Sequence, residues 1–220
     1  MGSPLLFNKY PHNIMSEYIL LVDYGHGTRK YTSGKRSPDE RLFEGEWNRE
    51  VGKMIVYEMR ELGVDVREVV TEDEDISLQK RCDRVNKVVA DNPGKKCIFL
   101  SVHVNAAPDS GWNDKASGAS VYTCLNPNEE SIKMAQCYYD MVEEFELKGN
   151  RNVPEDRVWK ANYKVLRSTN CPAILTENLF MTNHKEVDFL LSKEGKETIC
   201  NMHICALCKY LGIPYAVCKG

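Results

Sequence analysis

The stretch LLVDYGHGTRK, residues 20–30, drives a short apolar run straight into a histidine held between two glycines. Leu20, Leu21, Val22 and Asp23 read as the end of a buried strand over residues 17–23. Gly25 and Gly27 then let the backbone turn where a Cβ would clash. A side chain delivered at such a strand end sits on the rim where α/β sheets keep their ligands. Taken alone, the segment fits equally well a glycine-rich turn whose histidine is merely exposed.

The rest of the chain repeats the alternation of strand and helix. EGEWNREVGKMIVYEMRELG ends at Gly63 and places Val51, Ile55, Met59 and Leu62 at helical spacing, an apolar stripe. VDVREVV reads as a second strand, and SLQKRCDRVNKVVADN as a helix opened by Ser77 and closed before Pro93-Gly94. KKCIFLSVHVNA is almost continuously apolar, which places it centrally in a sheet. GASVYTCL gives a further strand and NEESIKMAQCYYDMVEEFEL a long helix. The polar stretch 148–169 wraps the surface and leads to a short strand expected near YKVLRS. PAILTEN is a strand with Pro172 at its first position, where a missing N–H matters least. NHKEVDFLLS and KETICNMHICALCKYLG read as closing helices. The pattern predicts one α/β domain over residues 17–220, preceded by an N-terminal extension over 1–16. Its sheet is twisted, mixed and mostly parallel, with about six strands and helices on both faces.

Composition narrows the function. The 220 residues suffice for one sizeable core. With 29 Lys and Arg against 32 Asp and Glu, the net charge of −3 offers no footprint for nucleic acid and no polybasic patch for a membrane. No apolar run approaches the ~18 residues a membrane helix needs. MGSPLLFNKYPHN shows no basic region followed by an apolar one, so no leader is expected in it. The 9 cysteines read mostly as buried thiols. Cys200, Cys205, Cys208 and Cys218 cluster near the end, where a core helix is favoured over a zinc knuckle.

Three strands end in side chains that carry chemistry: His26 after the first, His103 in SVHVNA and Glu177 in LTEN. Glu44 opens the first helix. Two imidazoles and a carboxylate, with a fourth position open, form a catalytic zinc set. A second carboxylate outside the set, here Glu177, can then move protons. The residues are far apart in sequence, unlike the compact H-E-x-x-H pattern. The plain alternative makes His103 a core histidine and Glu44 a first-turn acid favoured by the helix dipole. Glu46 lies two residues beyond Glu44, an offset that points it elsewhere on a helix.

The ordered segments LLVDYGHG, GKRSPDERLFEGEWNREVG, LQKRCDRVN, FLSVHVNA, GASVYT and PAILTENLFMTNHKEVDFLL resemble the zinc-dependent N-acetylmuramoyl-L-alanine amidases of amidase type 3. These are cell-wall hydrolases of bacteria and phage endolysins. The resemblance runs from about Tyr18 to Gly212. It implies a phosphorylase/hydrolase-like α/β fold and one catalytic zinc ion on His26, Glu44 (with Asn48 four residues on) and His103. It also implies Glu177 as the catalytic acid/base. The implied reaction cleaves the amide between the lactyl group of N-acetylmuramic acid and L-alanine in peptidoglycan. The chain departs from the family pattern at Tyr24, where proline is usual, and at Thr28, where glycine is. The expected partner is peptidoglycan, with no nucleic acid and no membrane insertion, and the expected state is a monomer. Action would be at the bacterial cell wall, by an endolysin-like protein or an exported host amidase. A zinc peptidase cutting within stem peptides and a non-catalytic wall-binding module are the rivals.

Other residues have plainer readings. Arg81 and Asn86 orient a helix and its neighbouring loops. Asn105, Lys35 and Arg36 are substrate-binding candidates, with Ser37 in the same loop. Trp112, Trp159 and Tyr163 are candidates for sugar-stacking or cleft walls. Asn178, Thr182 and Asn183 read as caps for the following helix. His12, His184 and His203 read as incidental.

Overall fold

The computed structural model describes residues 17–108 and 111–215; the extension expected over 1–16, with His12, and Cys218 lie outside these. The described elements are β1 (Tyr18–Tyr24), α1 (Glu44–Glu61), β2 (Asp65–Glu68), α2 (Leu78–Asp91), β3 (Lys96–Asn105) and β4 (Ser120–Thr123). They continue with α3 (Glu129–Glu144), β5 (Trp159–Lys160), α4 (Lys164–Arg167), β6 (Ala173–Phe180), α5 (His184–Leu191) and α6 (Lys193–Leu211). One six-stranded sheet runs in the order β2-β1-β3-β6-β4-β5. Its first four strands are parallel; β4 pairs antiparallel with β6, and β5 runs parallel to β4.

Alternate residues of the central strands feed two cores. Leu20, Val22, Tyr24, Ile98, Leu100 and Val102 pack on one face against α1, α3 and α6. Ile19, Leu21, Cys97 and Phe99 pack on the other against α2 and α4. A strand buried on both sides has no polar face to show, which is why β1 and β3 read as continuous apolar runs. Parallel strands at the centre also bring the ends of β1, β3 and β6 to one edge, where their loops form a single rim.

Ser77 caps α2, accepting from the Lys80 N–H, and Asn128 and Asn183 cap α3 and α5 in the same way. The cysteine-rich α6 is a core helix: Cys200, Cys205 and Cys208 are buried with Ile199, Met202, Ile204 and Leu207. Cys205 is disulfide-bonded, whereas Cys200 and Cys208 are free. One expectation fails. The segment over YKVLRS is the single-turn helix α4, and the short strand precedes it at Trp159–Lys160. Val165 and Leu166 are both buried against α2, and two adjacent residues point to one side only if the chain coils. Asn86 holds the segment there, donating to the Ser168 carbonyl and accepting from the Asn170 N–H.

Candidate metal centre and active site

The glycine–histidine–glycine turn after β1 is shaped by what lies against it. A Cβ on Gly25 would come 2.2 Å from Cε1 of His103, so only glycine lets that imidazole lie over the strand end. A Cβ on Gly45 would come 1.8 Å from the Gly27 carbonyl oxygen, so α1 docks on the turn backbone to backbone. Between the two glycines, His26 takes φ 62°, the left-handed region that a non-glycine residue enters only when its surroundings hold it. Those surroundings come from α1. Asn48 Nδ2 donates to the Gly25 carbonyl at 3.1 Å, and Arg49 Nη1 donates to the His26 carbonyl at 2.7 Å. Tyr24, the departure from proline, fits because Gly52 leaves room for its ring.

His26, Glu44 and His103 converge, with one candidate ligand atom from each within 4.8 Å of the others. Glu44 is the first residue of α1 and only 2% exposed. Its Oε1 lies 3.0 Å from His103 Nδ1 and accepts from the Val104 N–H at 3.2 Å. Its Oε2 lies 3.4 Å from His26 Nε2 and is buried without a hydrogen-bond partner. The two imidazole rings stand 5.1 Å apart at 88°. Burial pushes the Glu44 carboxyl up, but the hydrogen bond and charge of His103 outweigh it and hold the carboxyl below its ordinary value. Burial likewise works against a charged His103, yet Glu44 outweighs it and raises that imidazole. His26, with less support from Glu44, is lowered by burial. A buried carboxylate oxygen with no donor is costly unless a cation meets it. Two imidazoles and that oxygen aimed at one point fit a zinc donor set, and the Val104 N–H supplies the outer bond that orients the carboxylate.

Glu177 faces this group across the sheet. It pairs in register with His103 on the neighbouring strand, and its Oε2 is also buried without a partner. Burial, with a smaller push from Glu44 and against the pull of His103, raises its carboxyl to about 7. A cleft of about 560 Å³ opens over Glu177, lined also by His26, His103, Lys35, Tyr163 and Arg81.

A family model described as N-acetylmuramoyl-L-alanine amidase matches residues 20–209. The chain belongs to this amidase family. The N-acetylmuramoyl-L-alanine amidase CwlM of Bacillus licheniformis is 27% identical over 188 residues, 84% of this chain and 65% of the relative. The endolysin of Bacillus phage SPP1 is 26% identical over 196 residues, 89% of this chain and 66% of the relative. The chain thus spans just under two-thirds of either relative. The solved N-acetylmuramoyl-L-alanine amidase from Clostridium difficile 630 superposes with a TM-score of 0.73 at 23% identity, covering 89% of this chain and 97% of that one. The catalytic domain of CwlV, an N-acetylmuramoyl-L-alanine amidase from Bacillus (Paenibacillus) polymyxa var. colistinus, gives 0.72 at 19%, covering 90% and 99%. At these identities the two structures show a shared fold.

In this amidase-family chain the remaining candidates divide. Lys35 lines the cleft, while Arg36 turns out to pair with Glu40 at 3.1 Å. Asn105 does not line the cleft: its Oδ1 accepts from the Ala106 N–H within its own loop. Of the three aromatic candidates, Tyr163 lines the cleft. Trp112 instead stacks on His184 at 3.7 Å, and Trp159 packs beside Tyr139. Glu46, the rival ligand, is taken by Arg29. Asn183 is the cap it was expected to be, but Asn178 is not: its Nδ2 donates to the His103 carbonyl and its Oδ1 accepts from Tyr138, fastening β3 to β6 beside the site. Thr182 accepts from the Ala107 N–H. Below the rim, Arg81 is buried against Asp23 and also donates to the Tyr24 and Ile76 carbonyls. Arg49 was missed from sequence, because an arginine on an amphipathic helix reads as a solvated residue. Here it is buried and spans the carbonyls of His26, Gly45 and Glu72.

Proposed function

We propose that the protein hydrolyses the amide between the lactyl group of N-acetylmuramic acid and L-alanine in peptidoglycan, as a zinc-dependent amidase acting at the bacterial cell wall. The observation that carries this is the convergence of His26, Glu44 and His103 around an unpartnered carboxylate oxygen, with Glu177 unpartnered beside them. Zinc bound there would polarise the scissile carbonyl and lower the pKa of the attacking water toward ~7.

The chain's own groups do the rest. Glu177 Oε2, free of protein donors, accepts the proton of the attacking water and returns it to the departing nitrogen of L-alanine. A carboxyl that burial raises above its ordinary value is suited both to take and to give that proton. Asn178 keeps His103 and Glu177 at a constant separation by tying their strands. Among the described residues no helix is long and apolar enough to cross a membrane.

The test is digestion of purified peptidoglycan by the protein as prepared, after chelation, and after zinc is restored, with mass spectrometry of the soluble products. The proposal expects whole stem peptides beginning with L-alanine, lost on chelation and regained with zinc. Fragments cut within the stem would favour a peptidase. Wall binding without any release would favour a non-catalytic module.

A further inference from the structure

The loop between β1 and α1 is rich in cations, and most of them are spent on the protein itself. Arg29 pairs with Glu46 at 2.6 Å, Arg36 with Glu40 at 3.1 Å and Arg41 with Asp188 at 2.7 Å. Lys30 lies over the Tyr31 ring. Lys35 is different. Among the described residues its Nζ meets no carboxylate and no other acceptor, and its side chain lines the cleft together with His26, His103 and Glu177.

The main chain at Lys35 is tied to both segments that carry the metal-ligand candidates of this loop. Its carbonyl accepts from the Glu44 N–H at 2.9 Å, where α1 begins. Its N–H donates to the Thr32 carbonyl at 3.3 Å. Thr32 Oγ1 in turn accepts from the Gly27 N–H, beside His26, at 3.0 Å and donates to Asp75 at 2.9 Å. A bridge between Arg36 and Phe43 closes the loop immediately behind. The side chain therefore springs from a fixed point next to two metal-ligand candidates, and its flexible four-carbon stem carries the ammonium over the cleft. The charge acts on His26 and on Glu177, opposing a protonated imidazole in the one and favouring the ionised carboxylate in the other. His26 follows β1 and Glu177 lies on β6, with β3 between them, so a cleft-lining charge that acts on both faces the reacting centre. Lys164, a second lysine on the cleft wall, acts instead on the buried Cys82 thiol.

Amide hydrolysis creates negative charge where the substrate has none. The water oxygen bonds to the lactyl carbonyl carbon, its proton passes to Glu177, and the carbonyl oxygen becomes an oxyanion. The C–N bond then breaks, Glu177 returns the proton to the alanine nitrogen, and the new acid loses its last proton to solvent as a lactyl carboxylate. We propose that Lys35 is a further catalytic residue, whose Nζ donates to the lactyl carbonyl oxygen as it becomes the oxyanion and then to the lactyl carboxylate of the product. In the free protein the exposed ammonium is solvated. A glycan strand lying in the cleft displaces that water, and the charge that replaces it develops only as the bond is cut. The contact is thus stronger in the transition state than with the neutral amide, which is the condition for it to raise the rate. This inference rests on the amidase reading.

The experiment compares the wild type, K35M and K35R on a soluble muramyl peptide, with zinc content and melting temperature measured on all three. Each zinc-loaded protein is also titrated calorimetrically with N-acetylmuramic acid and with its methyl ester. The side chain is exposed and has no protein partner, so neither variant removes a packing contact. K35M should keep its zinc, its melting temperature and its KM, and lose ~10²–10³-fold in kcat, the cost of removing one oxyanion donor. K35R should recover part of that loss. The acid should bind K35M ~10-fold more weakly than the wild type, while the uncharged ester binds both alike. A K35M with wild-type kcat would overturn the inference, as would a loss confined to KM or an affinity for the acid that K35M leaves untouched. So would a K35M that no longer holds zinc, because Lys35 would then support the metal centre instead of the substrate. A wild type that releases no L-alanine-terminated peptide would bring down the amidase reading and this inference together, whereas equal release by wild type and K35M would refute the role of Lys35 alone.

Discussion

Replacing Arg81 by methionine removes the cation from the most deeply buried ion pair among the described residues. Arg81 is 2% exposed and Asp23 1%, with Nη1 2.6 Å from Asp23 Oδ1. The same guanidinium donates to the Tyr24 carbonyl at 2.6 Å and to the Ile76 carbonyl at 2.7 Å. After the change, Asp23 keeps one donor, the Ser101 hydroxyl at 2.8 Å, and remains a carboxylate shut away from water. Breaking a buried pair from one side costs about 3–5 kcal/mol, because the orphaned charge keeps its desolvation penalty. At ~2–4 °C of melting temperature per kcal/mol for a chain of this size, R81M should melt roughly 6–20 °C lower. The assay is thermal and urea unfolding of R81M, D23L and the double variant, read as a double-mutant cycle. The double variant should recover at least ~2 kcal/mol over the sum of the singles, since neither charge is then left alone. Full recovery is not expected, because the Tyr24 and Ile76 carbonyls still lack their donor. An R81M that costs under ~1 kcal/mol, or strict additivity in the cycle, would refute the view that this pair pins the end of β1.

Three further outcomes follow from the site. In G25A the new Cβ would lie 2.2 Å from His103 Cε1, so the imidazole must swing away; zinc affinity should fall ~10–100-fold in a chelator competition while the far-UV spectrum stays native. E177Q should bind zinc in the wild-type stoichiometry yet lose ~10²–10⁴-fold in turnover, whereas H26A should lose both; metal analysis beside an activity assay separates them. His203 is buried, donates Nδ1–H to the Ile199 carbonyl and accepts at Nε2 from Thr176, and burial lowers it from the ordinary 6.5 to about 4. Its folded pKa lies below its unfolded one, so its contribution to stability is complete above about 6.5 and is lost as the pH falls toward about 4. Urea unfolding across that window should show about 3 kcal/mol of acid loss that the H203L variant lacks.

Much of this was legible in the sequence because it rests on periodicity and on strand ends. β1 and β3 announced themselves by unbroken apolar runs, and α1 by Val51, Ile55 and Met59 at helical spacing. His26, His103 and Glu177 stood out because each interrupts such a run at its end, where topology gathers ligands. Glu44 was visible as the acid opening a helix. What stayed hidden depends on approach between distant segments. Nothing local distinguishes Lys35, which lines the cleft, from Arg36, which pairs with Glu40. Asn178 looks like a cap and is a tie between strands, since its partners are the His103 carbonyl and Tyr138. α4 was misread because two adjacent apolar residues, Val165 and Leu166, fit a strand until the face of α2 that covers both is known.

The bond that is cut is the central claim, and isotopic water reads it directly. Peptidoglycan digested by the zinc-loaded protein in heavy-oxygen water takes one labelled oxygen into whichever acyl group was hydrolysed. The account predicts the label in the lactyl carboxylate of muramic acid, with unlabelled stem peptides carrying a free L-alanine amino terminus. Label on a carboxyl of the stem peptide, with muramic acid unlabelled, would contradict it.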